Sequence, residues 1–429
     1  MEKYKVKPLK NLGSFKVEVP GSKSITNRAL LLAAMCTGRC TLKGVLFSDD
    51  SRAFLSCLKE LGFELAVDED NRTVTINGTG GKIPNRQACV NVGSAGTAAR
   101  FLTVFLAFAG GSYRLDASPQ MCRRPMEPLI STLRAAGVDI TCGGEEGHFP
   151  FSLSSVGVSA SGLSIDTDLS SQFASAILMA AALLGDGLKV TLTGNRTNGS
   201  YIGITLKMME QFGFGYERSG DVITVNGGCP RNPSGYTVEP DVSAACYFYA
   251  MSPLCNKTMC VKNVHADSMQ GDIKFVECLK MLGCTVEEPG EGITVIPPVS
   301  GKYDGIDINM QDFSDQTMTM AVLAAFAGSP SYIHGIGRIR LQESDRINAI
   351  ITELNRLGCA CSAIEDYTGI CIEPTPMHGA DIETYEDHRM AMAFSLAGLR
   401  IPDVSILNPM CCRKTFEDYF DVLDSITGT

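Results

Sequence analysis

The residues with chemical potential in this sequence gather at the starts of helix-like segments. The run Gly21-Ser22-Lys23-Ser24-Ile25-Thr26-Asn27-Arg28 opens an Ala/Leu-rich stretch. Lys23, Ser24 and Arg28 can face one anion there, because Ser24 and Arg28 are i,i+4 neighbours. Val92-Gly93-Ser94-Ala95-Gly96-Thr97-Ala98-Ala99-Arg100 opens another, with two glycines that let backbone approach a ligand closely. Arg123-Arg124-Pro125 sets guanidinium groups beside a Pro suited to a first helical turn. Ser170-Ser171-Gln172, Asp315-Gln316-Thr317 and Asp387-His388-Arg389 head further helices of this kind. Glu343-Ser344-Asp345-Arg346 and Arg413-Lys414-Thr415 head helices of a second kind. A helix N-terminus carries unpaired N–H groups and partial positive charge, so it suits phosphate and carboxylate. Any one of these segments is explained equally well as a structural cap. Lys and Arg at so many helix starts are not, because they oppose the dipole unless an anion is bound. The pattern predicts a site for multiply charged anions, with Asp315 and Glu343 available for proton transfer. A P-loop is excluded, since Gly21-Ser22-Lys23 lacks the second glycine at the required spacing.

Composition narrows the setting. A length of 429 residues implies two to three domains. With 45% hydrophobic and 20% charged residues the chain is ordinary for a globular protein with a large core. No apolar stretch reaches the roughly 18 residues of a membrane helix; the longest, 101–109, reads as a buried helix. The first residues, Met1-Glu2-Lys3-Tyr4-Lys5-Val6, carry neither a signal-peptide core nor a transit pattern, and a cytoplasmic protein is expected. Many of the 17 cysteines, Cys57, Cys246, Cys278 and Cys284 among them, lie in apolar segments as small hydrophobes. Cys359-x-Cys361 and Cys411-Cys412 lack zinc-site spacing, and the five histidines are scattered. No metal and no cofactor are expected, and the cysteines fit a reducing compartment. A net charge of −10 argues against nucleic acid as the partner.

The elements that must position these residues repeat. Amphipathic helices end at Gly62, Gly137, Gly213, Gly283 and Gly358, which stand 75, 76, 70 and 75 residues apart. Glycine is what a helix C-terminus needs when the chain turns left-handed. Each is followed by a strand, a polar turn and a second alternating strand, as at 221–226. A second set of helices with the same period begins near Ser22, Ser94, Ser170, Asp241, Ser314 and Tyr385. Short strands such as 191–193, 259–261 and 404–407 lie between the two kinds. The period exceeds that of a solenoid, so the unit is a repeated subdomain. A sixth helix, 416–426, ends at Gly428 without a hairpin, while segments 4–6 and 15–19 read as a spare hairpin at the other end of the chain. If that hairpin completes the last repeat, two three-repeat domains follow: 1–20 with 240–429, and 21–239. Pro20-Gly21 and Pro240 mark the crossings, and a cleft between the domains is the expected ligand site.

At these residues the sequence resembles the 5-enolpyruvylshikimate-3-phosphate synthase family. The resemblance runs from Pro20-Gly21-Ser22-Lys23-Ser24 through Ala95-Gly96-Thr97-Ala98, Arg124-Pro125, Ser170-Ser171-Gln172-Phe173, Glu343-Ser344-Asp345-Arg346 and Asp387-His388-Arg389-Met390-Ala391-Met392 to Lys414-Thr415-Phe416. It implies an α/β (α+β) fold, a two-domain, inside-out, barrel-like enolpyruvyl transferase architecture of six βαβαββ repeats, three per domain. It implies transfer of the enolpyruvyl group of phosphoenolpyruvate to the 5-hydroxyl of shikimate 3-phosphate through a tetrahedral intermediate, by a monomer without metal or cofactor. Carried over by position, Ser24 and Arg28 hold the shikimate carboxylate. Ser170 and Ser171 hold its phosphate, and Gln172 and Tyr201 line its ring. Lys23, Gly96, Thr97, Arg124 and Gln172 bind the phosphate of phosphoenolpyruvate. Arg346, Arg389 and Lys414, with His388 beside them, hold its carboxylate. Asp315 takes the 5-hydroxyl proton, Glu343 protonates the methylene carbon, and Lys23 assists catalysis and contacts both substrates.

Three positions depart from the family pattern. Ser94 replaces the usual Asn of the glycine-rich run, Arg338 an Asn that contacts the sugar, and Gln342 a Lys that approaches the 5-hydroxyl. Arg338, Arg340 and Gln342 alternate on an expected strand and so share one face, which makes Arg338 the candidate to supply the missing charge. Two other readings remain at this stage. One is the sister transferase acting on UDP-N-acetylglucosamine, whose loop Cys lies several residues before an Arg-Pro, whereas Cys122 lies two before Arg124. The other is a non-catalytic shikimate-phosphate binder, which would account for Gln342.

Overall fold

The computed structural model describes residues 3–9 and 13–428; Met1 and Glu2, part of the segment read above for a leader, lie outside them. The chain divides into two compact units, 1–20 with 240–429, and 21–239.

In the 21–239 unit the middle is helical. Lys23–Met35, Gly96–Ala109 and Ser171–Ala181 are rich in Ala and Leu on all sides and are buried almost throughout, as a helix without a polar face must be. Three four-stranded sheets pack on them. In the first, Gln87–Asn91 pairs parallel with Gly111–Asp116, which pairs antiparallel with Phe151–Ser155, and that with Asp139–Cys142. The second repeats this order with Gly162–Asp166, Leu188–Thr193, Val222–Val225 and Tyr216–Ser219. The third is closed by the far end of the unit, where Gly235–Thr237 lies parallel to Thr37–Lys43, followed by Thr73–Thr79 and Leu65–Asp68. Their strands alternate buried and exposed residues, because one face meets the helices and the other meets water.

The other unit follows the same plan around Val242–Cys255, Thr317–Ala325 and His388–Gly398. Its sheets are Phe15–Val17, Met259–Val261, Thr294–Ile296 and Thr285–Glu287; Asp307–Asn309, Ser331–His334, Gly369–Glu373 and Ala360–Ile364; and a three-stranded sheet of Asp381–Ile382, Ser405–Leu407 and Lys3–Lys5. The five helix-ending glycines all adopt the left-handed region, φ 84° to 95°, where a side chain would be strained.

The N-terminal segments are not a hairpin. Lys3–Lys5 runs antiparallel to Ser405–Leu407, while Phe15–Val17 runs parallel to Met259–Val261 in a different sheet. A hairpin favours a loop of about two to five residues, and the longer link through Pro8 lets each strand satisfy a separate open edge. The described ends of the chain do meet: Tyr4 Oη donates to Asp424 Oδ1 at 2.7 Å, and its ring lies tilted against Phe420 with centroids 4.3 Å apart. The last helix begins at Tyr419, later than the sequence pattern implies, and ends at Gly428 with φ 76°. Tyr4→Phe keeps the ring contact and removes the hydrogen bond, so stability should fall by about 1 kcal/mol in urea denaturation. An unchanged midpoint would mean that this closure contributes nothing.

Candidate functional site

In the unit of residues 21–239, the three central helices present their starts as one polar group. Arg28 is 1% exposed and ties them together. Its Nε donates to Thr205 Oγ1 (2.8 Å), Nη1 to the Ser24 carbonyl (3.0 Å), and Nη2 to Ser175 Oγ (3.2 Å) and the Tyr201 carbonyl (3.4 Å). Phe101 and Tyr201 face the guanidinium with their rings at 5.2 and 5.9 Å. No carboxylate pairs with it among the described residues, and burial lowers its pKa to about 10, so it is still a cation at neutral pH. One Nη1 hydrogen is left over from these contacts.

Lys23, the first residue of its helix, stands 3.4 Å from the buried Asp50 Oδ2. Asn27 donates through Nδ2 to Thr97 Oγ1. Arg100 Nη1 donates to Gln172 Oε1 at 2.9 Å and to the Gly96 carbonyl at 3.1 Å. Ser170 caps Ser171–Ala181 by accepting from the Gln172 N–H. Gly96 is required by crowding: a Cβ there would stand 2.5 Å from Arg100 Nη1 and 2.7 Å from Arg124 Nη1. Arg124 Nε is buried with no hydrogen-bond partner among the described residues. Arg124-Pro125 lies in the turn between Pro119–Cys122 and Glu127–Ala135, and the proline in the first turn of the latter helix is Pro128. Pro125 therefore does not open a helix, contrary to the sequence expectation.

The other unit gathers its charges around Arg346, also 1% exposed. Its Nε donates to Asp387 Oδ2 (2.8 Å), Nη1 to Asp315 Oδ1 (3.2 Å), and Nη2 to Glu343 Oε2 (2.8 Å) and Asp387 Oδ1 (3.3 Å). Nη1 also donates to Gln342 Oε1. Burial works to lower its pKa, but the Asp387, Glu343 and Asp315 carboxylates overcome that and hold it above the usual range. Asp315 Oδ2 receives a second guanidinium, Arg389 Nη2 at 3.2 Å. Lys414 Nζ lies 3.7 Å from Glu343 Oε1. His388 is buried in the first turn of its helix, with Nδ1 3.9 Å from Asp387 Oδ1. The arrangement alternates acid and base: two carboxylates, Asp315 and Glu343, share one guanidinium and each touch a further cation. Such a site can bind an anion on its cations and move protons on its carboxylates.

Two local expectations fail here. Residues 338–342 are not a strand: Gly337–Leu341 form a 3-10 turn. The buried pair Ile336 and Ile339 sets a three-residue period, and Gly335 at φ 72° breaks the preceding strand. The three polar side chains consequently diverge. Arg338 Nε donates to Ser314 Oγ (3.1 Å), Arg340 turns to Asp345 and the Tyr367 ring, and Gln342 reaches Arg346. Arg338 and Gln342 still meet neighbouring groups, since Ser314 adjoins Asp315. Likewise Arg413-Lys414-Thr415 does not open a helix. Lys414 closes a 3-10 turn, Pro409–Lys414, and the Glu343 carboxylate at 3.7 Å rather than a helix dipole faces it.

Sequence reasoning placed Arg100 one turn into its helix but gave it no role, and it passed over Asp50, Asp272, Ser243 and the part played by Asp387. Asp387 carried a signal, as the cap residue directly before His388-Arg389. Asp272 carried none, standing alone in a polar loop. Among the described residues no group of three or more His, Cys, Asp or Glu side chains is arranged to hold a metal ion, and no helix is long and apolar enough to cross a membrane.

Comparison with known proteins places these residues in a family. Residues 7–423 match the family model of EPSP synthase (3-phosphoshikimate 1-carboxyvinyltransferase). The 3-phosphoshikimate 1-carboxyvinyltransferase of Trichormus variabilis is 40% identical over 405 residues, 94% of each chain. The chloroplastic enzyme of that name from Arabidopsis thaliana is 36% identical over 438 residues, 98% of this chain and 84% of its own. The solved EPSP synthase of Acinetobacter baumannii superposes with a TM-score of 0.82 at 25% identity, covering 99% of this chain and 98% of that one.

The Arg346 cluster generates a stability prediction. Asp387→Ala strips a buried guanidinium of two of its contacts and the His388–Gly398 helix of its cap. Chemical denaturation should show a loss of about 3 kcal/mol; a change below about 0.5 kcal/mol would show that Asp315 and Glu343 suffice.

Proposed function

This chain belongs to the EPSP synthase family and transfers the enolpyruvyl group of phosphoenolpyruvate to the 5-hydroxyl of shikimate 3-phosphate, releasing phosphate; from that premise we propose how its residues divide the work. Ser24 and Arg28 hold the shikimate carboxylate, Ser170 and Ser171 its phosphate, with Gln172 and Tyr201 along the ring. Lys23, Gly96, Thr97, Arg124 and Gln172 take the phosphate of phosphoenolpyruvate. Arg346, Arg389 and Lys414, beside His388, take its carboxylate, for which paired guanidinium groups are suited.

The chemistry is an addition followed by an elimination. Asp315 accepts the 5-hydroxyl proton as that oxygen attacks C2 of phosphoenolpyruvate, and C3 gains a proton from Glu343, giving a tetrahedral adduct. Loss of a proton from C3 and cleavage of the C2–O bond then expel phosphate and restore the double bond. The observation that carries this assignment is the shared guanidinium: Asp315 and Glu343 both bond to Arg346, so acid and base are held at a fixed spacing. Arg338 serves as the cation near the 5-hydroxyl in place of the lysine that Gln342 replaces. Its bond to Ser314, next to Asp315, supports this. We also infer a cytoplasmic monomer; all 17 cysteines are free, which fits a reducing compartment.

Phosphate release from phosphoenolpyruvate with shikimate 3-phosphate as acceptor tests the roles. Asp315→Asn and Glu343→Gln should each lower kcat by roughly 10²–10⁴; a variant that keeps its turnover loses its role. Arg338→Asn should lower kcat/KM about tenfold or more, and adding Gln342→Lys should restore much of it. If Arg338→Asn and Gln342→Lys each leave kcat/KM unchanged, Arg338 does not replace the lysine.

A further inference from the structure

Asp272 occupies a 3-10 turn, Gly271–Lys274, and none of the roles above uses it. It is 7% exposed, and such burial disfavours a carboxylate that, like this one, has no direct cation among the described residues. Its Oδ2 accepts from Ser243 Oγ and from Gln316 Nε2, the latter at 2.9 Å. Ser243 Oγ accepts in turn from Arg389 Nη2 at 3.4 Å, and that same nitrogen donates to Asp315 Oδ2 at 3.2 Å. One guanidinium therefore stands between two buried carboxylates, Asp315 directly and Asp272 through a hydroxyl.

We propose that Asp272 is a positioning residue for Arg389, acting through the Ser243 hydroxyl to hold the guanidinium on the substrate carboxylate while Asp315 changes charge. This rests on Arg389 binding the phosphoenolpyruvate carboxylate. A hydroxyl has one proton and donates in one direction. While Asp272 is ionised, Ser243 must donate to it, which turns the serine lone pairs toward Arg389. When Asp315 takes up the 5-hydroxyl proton, its attraction for Arg389 weakens and the Ser243 contact remains. If Asp272 itself is protonated, the acid donates to Ser243, the hydroxyl proton can turn toward Arg389, and the anchor is lost.

The groups facing Asp272 set where that change falls. Burial and the Asp315 charge push its pKa up to about 6, while Arg389 and the hydrogen bonds from Ser243 and Gln316 work to lower it. From Val242–Cys255 the Cys246 thiol meets the Asp272 carbonyl, with Asp241 at that helix's cap. On the flanking helix Phe275–Met281 the Cys278 thiol meets the Lys274 carbonyl and Glu277 pairs with Lys280 in solvent, as Lys274 and Asp312 pair with each other. Above about pH 6 Asp272 is ionised and Arg389 is anchored, and below it the anchor loosens.

The test is steady-state phosphate release from about pH 5 to pH 8 on folded variants. In the unsubstituted enzyme KM for phosphoenolpyruvate should rise as pH falls through about 6. Asp272→Asn should raise that KM about tenfold at neutral pH, the scale of one hydrogen bond to a charged group, and abolish the rise near pH 6, with kcat changed far less. Ser243→Ala should raise KM in the same way and carries the test alone if Asp272→Asn does not fold. In an Arg389→Lys background Asp272→Asn should add less than about twofold, because coupled residues are not additive. The proposal is overturned if Ser243→Ala leaves KM for phosphoenolpyruvate at its normal value, if folded Asp272→Asn keeps the normal KM and pH profile, or if its effect multiplies in full with that of Arg389→Lys. Failure of the underlying reading is distinct: Arg389→Lys alone would then leave that KM unchanged.

Discussion

A guanidinium removed from water must have its N–H groups met by acceptors in good geometry, and Arg346 meets that condition with three carboxylates. Each comes from a different local structure: Asp315 from the 3-10 turn Gln311–Gln316, Glu343 from the segment before the Arg346–Arg356 helix, and Asp387 from the cap of His388–Gly398. Desolvating the charges is costly, and only their mutual attraction and multiple hydrogen bonds offset it. The cluster therefore locks these segments together. It also spaces the two carboxylates assigned to proton transfer, so the interaction that holds this unit's polar interior is the one that prepares its chemistry.

The unit of residues 21–239 solves the opposite problem. Arg28 is buried just as deeply, but among the described residues hydroxyls, carbonyls and two aromatic faces surround it rather than carboxylates. Its charge is solvated by dipoles and not neutralised among the described residues, which suits the anion-binding role proposed for it. Arg124, whose buried Nε has no partner among the described residues, lies beside Gly96 and fits the same proposed role. In the division proposed above, the Arg346 unit supplies the carboxylates for proton movement together with cations for one substrate carboxylate, and the Arg28 unit supplies the remaining cations for binding. Substrates carrying phosphates and carboxylates match that division.

Much of the architecture was legible in the sequence because its signals are local. The five helix-ending glycines work through backbone conformation at a single position, and all five take it. The Ala-rich helices lack a polar face, so their burial needed no structure to foresee. The misreadings came where two periods competed. At 338–342 charged residues alternate as on a strand, but Ile336 and Ile339, three apart and both buried, decided for a 3-10 turn. At 413–415 a cationic run looked like a helix start, whereas Lys414 ends a turn and is held by Glu343. The N-terminal strands looked like partners of each other, because the open edges that receive them lie hundreds of residues away.

By itself the sequence determined the kinds of element, their order and the family of chemistry, since helix caps, glycine turns and anion-binding motifs are written in contiguous residues. Only the tertiary structure decided which charge answers which. That Arg346 takes three carboxylates, that Arg28 meets none among the described residues and that Arg389 reaches Asp315 depends on chain segments far apart in sequence. Charge pairing acts through space over a few ångströms and falls steeply with solvent access. No spacing along the chain records that distance, and Asp272, which no motif marks, becomes part of the site only because folding buries it behind Ser243 and Arg389.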